Sequence, residues 1–215
     1  MEMNVHLDSP LPDAGSEILL WTIACGLGVG LFAQAGLFYQ GVLPCVVLQA
    51  SVLALRSRGL AWRWAAASLM VGLPVSGLLF IFTLALGYGQ FVPVPIAVQL
   101  GLEGAVAGGA LGVGGWIALR LYGKSGVLWR AWIGVSALAW GLGPAVSHGL
   151  SRLIDPEGML LYQALYNAGL GERWAAYLVG VSSGLPAGLL IGLISGVGGR
   201  VLARRARRFS QAMDP

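Results

Sequence analysis

The sequence predicts an all-α polytopic membrane protein with six transmembrane helices, cytoplasmic N- and C-termini and parallel helix-hairpin repeats. Of its 215 residues, 57% are hydrophobic and only 10% are charged, whereas a soluble domain carries about 25% charged residues. The mean hydropathy is +0.77. Too few polar side chains are present to cover a soluble surface, which excludes an ordinary cytosolic enzyme, a disordered chain and a disulfide-stapled secreted domain.

Six apolar segments approach the roughly 20 residues that a helix needs to cross the hydrocarbon layer of a bilayer. They comprise residues 18–39, 42–55, 64–86, 94–119, 127–147 and 175–201. The second segment is short, so we expect it to tilt little or to thin the bilayer locally. Residues 1–16 contain no Lys or Arg and lack the basic start of a signal peptide. We therefore expect a cytoplasmic tail there, followed by a transmembrane domain over residues 17–204.

The distribution of cations predicts the orientation of these segments. With the N-terminus inside, only Arg152 and Arg173 of the 13 Lys and Arg residues fall outside. Lys and Arg in short loops stay cytoplasmic, which favours two cytoplasmic termini in the inner or plasma membrane. We expect the basic tail, residues 205–215, to contact membrane lipids and not nucleic acid. The cations expected to bind anionic lipid headgroups are Arg204, Arg205, Arg207 and Arg208.

Aromatic residues gather near the expected ends of the segments. The tryptophans near the inner end are Trp21, Trp62, Trp64, Trp116, Trp129 and Trp132. The tyrosines near the outer end are Tyr39, Tyr88, Tyr162, Tyr166 and Tyr177. We expect an interfacial belt, because such rings combine a polar edge with an apolar body.

The two cysteines, Cys25 and Cys45, lie in the first and second segments. Their estimated depths in the bilayer differ by roughly 13 Å at 1.5 Å of helix rise per residue. We therefore expect two separate buried thiols and no disulfide.

The segments share an internal repeat, a helix hairpin with a basic inner turn. Segment two ends in Ala-Leu-Arg at 54–56 and segment four in the same run at 118–120, and each is followed by Gly and then by Trp-Arg. Segment six repeats the first half of this unit, since residues 196–204 resemble residues 112–120. All three segments run from outside to inside, so the repeats are parallel and not inverted.

Glycines recur at intervals of four residues in segments one, four and six. They are Gly26, Gly30, Gly104, Gly108, Gly112, Gly184, Gly188, Gly192 and Gly196. Lipid provides no hydrophobic drive between helices, and small residues allow their backbones to approach closely. The pattern therefore predicts helix-packing faces. The alternative is a groove for a lipid, a carotenoid or another flat ligand.

The hairpin motif resembles that of uncharacterised multi-pass membrane proteins of cyanobacteria and Chloroflexi-type bacteria. In these, Gly-rich spans end in Gln/Trp-x-x-x-Leu-Arg and a Trp-containing span returns. Over roughly residues 41–204, the likeness is carried by Gln49 to Leu55-Arg56, Trp116 to Leu119-Arg120, and Trp140-Gly141. It departs at Gly115, where Gln often precedes Trp. The resemblance implies a scaffold-like protein in phototrophs and brings no activity with it.

Polar residues inside the segments are few. Glu103 is the only acid within a segment, and a carboxylate in lipid is protonated or partnered because its charge is costly there. Gln99 lies one turn away and Gln49 at a similar estimated depth, so we expect a neutral Glu103 hydrogen-bonded to one of them. This group is either structural or part of a ligand-binding site with His148. His148 is also a candidate pigment or haem ligand, with an ordinary interfacial histidine as the alternative.

The longest outer loop contains the start signal of a helix. Asp155 followed by Pro156 is typical of a helix N-terminus, which predicts a short helix over about 156–167 that ends near Gly169. We expect this helix to lie on the outer leaflet with its tyrosines at headgroup depth. The alternative is a lid over an outward-facing cavity.

The sequence contains no HExxH, GxSxG or P-loop motif and no Cys/His cluster, so we expect no enzyme activity and infer no cofactor. The leading hypothesis is a non-catalytic accessory subunit of a respiratory or photosynthetic membrane complex, packed against helices, lipids or pigments of other subunits. The alternative is a small-molecule transporter or substrate-capture protein that resembles vitamin-capture components of energy-coupling transporters. Its outward-facing site would comprise Glu103, Gln49, Gln99 and His148.

Overall fold

The computed structural model describes residues 14–32, 41–55, 57–86, 95–121, 130–155 and 159–213. These residues form seven α-helices and no strand, which confirms the predicted all-α class. The helices are α1 (Ala14–Phe32), α2 (Val42–Ala54), α3 (Arg58–Leu86), α4 (Ile96–Leu121), α5 (Ala131–Ile154), α6 (Leu160–Asn167) and α7 (Glu172–Met213).

Several helices are longer than the apolar segments that predict them. Residues 14–16 already belong to α1, and α5 continues to Ile154, past the expected end at 147. The helix α7 has 42 residues, about 63 Å at 1.5 Å per residue, roughly twice the hydrocarbon thickness of a bilayer. Residues 205–213, placed in a tail by sequence, therefore continue α7. Backbone hydrogen bonding carries a helix past the point where its apolar composition ends.

Two helices of the described chain are long and apolar enough to cross a membrane: α4 and the part Glu172–Arg205 of α7. The apolar helices Gly15–Leu31 and Val42–Ala54 are shorter. The helices α3 and α5 have 29 and 24 residues.

Six of the helices form a closed ring, in which each packs against two neighbours. The order round the ring is α1, α2, α3, α4, α5, α7 and back to α1. The contact between α7 and α1 is antiparallel: a Cβ on Gly30 would lie 2.9 Å from Leu185 Cα, and one on Gly192 would lie 2.5 Å from Thr22 Cα. The two ends of the described sequence therefore close the ring.

The antiparallel packing gives the ring two chemically different ends. At one end, here called the basic end, α1, α3 and α5 begin and α2, α4 and α7 finish. The described arginines there are Arg58, Arg63, Arg120, Arg130, Arg200, Arg204 and Arg205. Arg152 and Arg173 lie at the other end, where α6 packs against α7. The cations are thus separated along the axis of the bundle.

The outer surface of the ring is covered by large apolar side chains. Exposed examples, one on each ring helix, are Leu19, Leu43, Met70, Leu102, Leu138 and Leu193. The buried side of the ring is instead rich in small residues, as on α4, where Gly104, Ala107 and Gly108 are buried. Large aliphatic side chains are thus common on the outer surface, where a soluble helical protein carries mainly polar residues.

Candidate functional site

Three tryptophans from alternate helices of the ring meet near its basic end. The ring centroids of Trp21 (α1), Trp64 (α3) and Trp132 (α5) lie 5.6, 5.6 and 6.4 Å apart, with interplanar angles of 65–77°. Edge-to-face contacts of this kind are the favoured geometry of aromatic pairs. The three side chains are at most 8% exposed. We call this cluster the tryptophan triad.

The triad corrects part of the predicted interfacial belt. Trp21, Trp64 and Trp132 are buried, whereas Trp62 is 74% exposed, as a belt residue would be. Trp129 lies outside the described residues. Proximity to a segment end identifies depth, but not the direction in which a side chain points, and these three rings point into the bundle.

Two indole N–H groups of the triad have side-chain partners on the preceding ring helix. Trp21 Nε1 donates to Ser195 Oγ of α7 over 2.9 Å, and Trp64 Nε1 donates to Gln49 Oε1 of α2 over 3.4 Å. Trp132 Nε1 is buried without a hydrogen-bond partner among the described residues. The corresponding neighbour on α4 is Gly115, where a Cβ would lie 2.7 Å from Trp132 Nε1.

Gln49 also joins the triad to the two cysteines. Its Nε2 donates to Cys25 Sγ over 3.1 Å, and Cys45 packs less than one turn away along α1, where a Cβ on Gly28 would lie 2.5 Å from Cys45 Cα. The large difference in depth that the sequence predicts between the cysteines is wrong. The helix α2 begins opposite the last turn of α1, since a Cβ on Gly41 would lie 2.9 Å from Val29 Cα. Cys45 is fully buried and lies at the level of Gly28, less than one helical turn from Cys25.

Glu103 and Gln99 form a separate pair on α4, in the half away from the basic end. Gln99 Nε2 donates to Glu103 Oε1 over 2.9 Å, so the predicted hydrogen bond to Gln99 is present. Both residues are half-buried. Gln49 does not join them, because both ends of its amide are engaged by Trp64 and Cys25.

His148, the first residue past the expected fifth span, is half-buried near the end of α5. It lies almost one turn beyond Ala145, whose Cβ would be 3.3 Å from a Cβ on Gly101 of α4. Partial desolvation, and second the positive charge of Arg152, lower the pKa of His148 below its ordinary value of 6.5. A neutral imidazole is thus favoured at pH 7. The four predicted ligand residues are therefore distributed over the triad, the α4 pair and the end of α5.

The glycines predicted to pack helices lie at close backbone contacts. On α4, a Cβ on Gly108 would lie 2.5 Å from Ser136 O of α5, and one on Gly112 would lie 2.7 Å from Ile133 Cα. Gly104 faces Trp140 O. On the α1–α7 contact, Gly26, Gly30, Gly188 and Gly192 would each place a Cβ within 3.0 Å of the other helix, Gly184 is buried, and Gly196 has more room, at 3.5 Å.

At the basic end, arginines bind both helix ends and acids. Arg63 Nη1 donates to Leu121 O at the end of α4 over 3.0 Å, which supplies a partner for a terminal helix carbonyl. Arg200 pairs with Glu17 of α1 over 3.4 Å. Arg204 and Arg205 are exposed, and the backbone of α7 includes Arg207 and Arg208.

At the opposite end, Asp155 fixes the start of α6. Its carboxylate accepts hydrogen bonds from the backbone N–H of Met159 at 3.2 Å and of Leu160 at 2.8 Å. The acid therefore caps a helix as predicted, but α6 begins at Leu160 and not at about 156. Residues 156–158 lie outside the described chain. At the other end, Gly169 has φ +88°, the left-handed conformation typical of a helix C-cap.

The described residues contain no cluster of metal-ligating side chains. Among the described residues, no three His, Cys, Asp or Glu side chains come together as metal ligands would. What the structure does assemble is a buried hydrogen-bonded chain from Trp64 through Gln49 to Cys25, with Cys45 one turn before Gln49 on α2. The sequence analysis did not predict this chain. For two members of the triad, Trp64 and Trp132, the sequence did contain a signal: each closely follows the Trp-Arg pair of its repeat, at 62–64 and 129–132.

Comparison with known proteins assigns no family and no function to this arrangement. No family model, no curated protein and no solved structure matches the chain.

Proposed function

We propose that this chain is a non-catalytic accessory or scaffold subunit of a larger membrane complex, respiratory or photosynthetic, whose six ring helices all cross the bilayer. The main support for this proposal is the distribution of large and small side chains over the bundle. Exposed Leu, Val, Ile and Met side chains occur on every helix of the ring, while glycines lie at the helix contacts. An apolar surface of this extent is a liability in water, whereas lipid solvates it and leaves close packing of small residues to hold the helices together.

The separation of cations supports an orientation with the basic end in the cytoplasm. Seven described arginines belong to that end and two to the other, and the positive-inside rule places the richer end inside. The helix α7 continues past the apolar part of the bundle with Arg204 and Arg205 exposed. Anionic headgroups of the inner leaflet are the proposed partners of this extension.

An open glycine on α3 supports contact with another subunit. A Cβ on Gly77 would meet nothing within 4 Å, and its neighbours Leu73, Leu78 and Ile81 are exposed. A small residue among large ones on a lipid-facing surface lets a second helix approach closely. We propose this part of α3 as the contact with a partner helix.

The subunit role is tested by mild solubilisation of native membranes, followed by native electrophoresis. We expect the chain to migrate in an assembly well above its own 22.4 kDa and Gly77→Leu to release it. Gly134→Leu is the matched control, because Gly134 of α5 also faces open space on another side of the ring. Migration of the native chain alone contradicts the subunit role, and reporter fusions that detect fewer than six crossings contradict the topology.

A second candidate function is capture or transport of a small polar molecule. The half-buried Gln99–Glu103 pair favours this function, since an acid inside a membrane helix usually belongs to a functional site. Thermal stabilisation by compounds from a panel of vitamins and amino acids, lost in Glu103→Ala and kept in the lipid-facing control Leu102→Ala, is the expected result. If no compound stabilises the wild-type chain, this candidate fails.

A further inference from the structure

Cys25 and Cys45 form a buried pair that neither proposed function uses. Both side chains are fully buried and both thiols are free. They lie on different helices that meet closely here, because Gln49, one turn along α2 from Cys45, donates to Cys25 Sγ. The contact depends on the absence of a side chain on α1, because a Cβ on Gly28 would lie 2.5 Å from Cys45 Cα.

The surroundings hold the two sulfur atoms in this position. Gln49 Nε2 donates to Cys25 Sγ at 3.1 Å, and the other end of its amide accepts from Trp64. On the α7 side, a Cβ on Gly192 would lie 3.0 Å from Cys25 Cβ. Cys25 is thus packed on one side by α7 and faces Cys45 and Gln49 on the other. Two thiols on facing turns of adjacent helices can be joined by side-chain rotation into an S–S bond of about 2.05 Å.

We propose that Cys25 and Cys45 are a reversible dithiol–disulfide pair that links α1 to α2, with a small neutral hydroperoxide as the oxidant. Cys25 Sγ attacks one peroxide oxygen, the O–O bond breaks, and the thiol proton leaves with the departing oxygen as water. Cys25 becomes a sulfenic acid. Cys45 Sγ then attacks this sulfur, the S–S bond forms, and a second water leaves. Two thiols are oxidised as one peroxide is reduced to two waters.

The complete burial of the pair determines which oxidants reach it. A charged tripeptide disulfide such as oxidised glutathione must form a mixed disulfide with one cysteine, and the close contacts of Gly28 and Gly192 leave no room for that adduct. Hydrogen peroxide is uncharged and close to water in size, so it enters where a peptide does not. The pair therefore responds to peroxide and resists glutathione.

The experiment uses the purified full-length chain in mild detergent. After exposure to hydrogen peroxide, the chain is denatured, its remaining thiols are alkylated with a polyethylene-glycol maleimide, and the gel shift counts them. We expect both thiols of the wild type to be lost together, the intact mass to fall by two hydrogen atoms, and dithiothreitol to restore both. Oxidised glutathione at the same concentration leaves both thiols free.

Matched variants separate pairing from simple oxidation. Cys25→Ser and Cys45→Ser each retain one thiol, which forms no internal disulfide, and in Cys45→Ser the sulfenic acid on Cys25 is trapped by dimedone added with the denaturant. Val47→Cys in a chain lacking both native thiols provides an exposed thiol on α2, which reports that peroxide reaches the protein. The proposal is overturned if the native thiols persist while Cys at this position is oxidised, or if the disulfide joins two chains.

Discussion

Replacing Gly108 by alanine tests whether the glycine face of α4 sets its distance from α5. A Cβ at this position would lie 2.5 Å from Ser136 O and 2.8 Å from Trp140 Cγ. The neighbouring residue Gly109 points away from this contact, and its nearest atom would be Ala137 Cβ at 3.9 Å. The same substitution at two adjacent positions therefore differs mainly in packing.

The expected difference in stability follows from these distances. Ordinary contacts of a Cβ begin at 3.4 Å, so the backbone at Ser136 must retreat by about 0.9 Å in Gly108→Ala. Overpacking of this kind costs about 1–3 kcal/mol. Alanine gains up to about 1 kcal/mol of helix propensity over glycine at either position. Because this gain is common to both variants, Gly109→Ala should be the more stable of the two by about 1–3 kcal/mol.

Thermal unfolding in mild detergent, followed by tryptophan fluorescence, measures this difference. For a chain of this length, 1 kcal/mol corresponds to about 2–4 °C in Tm. Gly108→Ala should therefore unfold at a clearly lower temperature than Gly109→Ala, while Gly109→Ala unfolds at or slightly above the wild-type temperature. Equal unfolding temperatures for the two variants would refute the idea that close backbone approach holds α4 against α5.

Three further predictions concern single polar groups. Trp132→Phe should destabilise the protein less than Trp21→Phe, by about 1 kcal/mol in denaturant unfolding, because only Trp21 loses a hydrogen bond, to Ser195; the opposite order contradicts the triad geometry. Asp155→Ala should cost about 1 kcal/mol and speed hydrogen exchange in α6; unchanged exchange argues against the cap. Because folding lowers the pKa of His148, the unfolded chain takes up its proton first, so Tm should fall as pH drops below about 6.5. His148→Asn should weaken that dependence, and an identical pH profile in this variant excludes the linkage.

Local patterns predicted the helices and several of their polar contacts. The apolar segments predicted the six long helices to within a few residues at most ends, although residues 33–40 and 87–94 lie outside the described chain. The hydrogen bond between Gln99 and Glu103 joins residues one helical turn apart, so helix geometry alone brings them together. Asp155 likewise acts within six residues of its own position. Such contacts follow from the sequence because they depend on a single helix.

The contacts at the centre of the bundle were not predicted in the same way. The depth estimate for Cys45 assumed that α2 starts at the outer end of the bundle, and its actual start opposite Val29 reversed the conclusion. Trp21 and Trp64 were placed in an interfacial belt because sequence indicates depth, not the direction of a side chain. Small changes in the rotation of a helix, or in its position along a neighbouring helix, decide the depth of Cys45 and the direction of the two indoles. Neither kind of change produces a local pattern in the sequence.

The helical class, the apolar composition and the uneven distribution of cations follow from the amino-acid sequence alone. These properties belong to single helices, whose backbone hydrogen bonds are satisfied within the segment and need no other part of the chain. The packing of α7 on α1, which allows Trp21 to bond to Ser195 across 174 positions of sequence, is a property of the whole fold. The same packing of helices placed three indoles together and set the two cysteines on facing turns of α1 and α2. These pairings depend on side-chain shape at helix contacts, where a missing Cβ on Gly28 or Gly192 decides which groups meet.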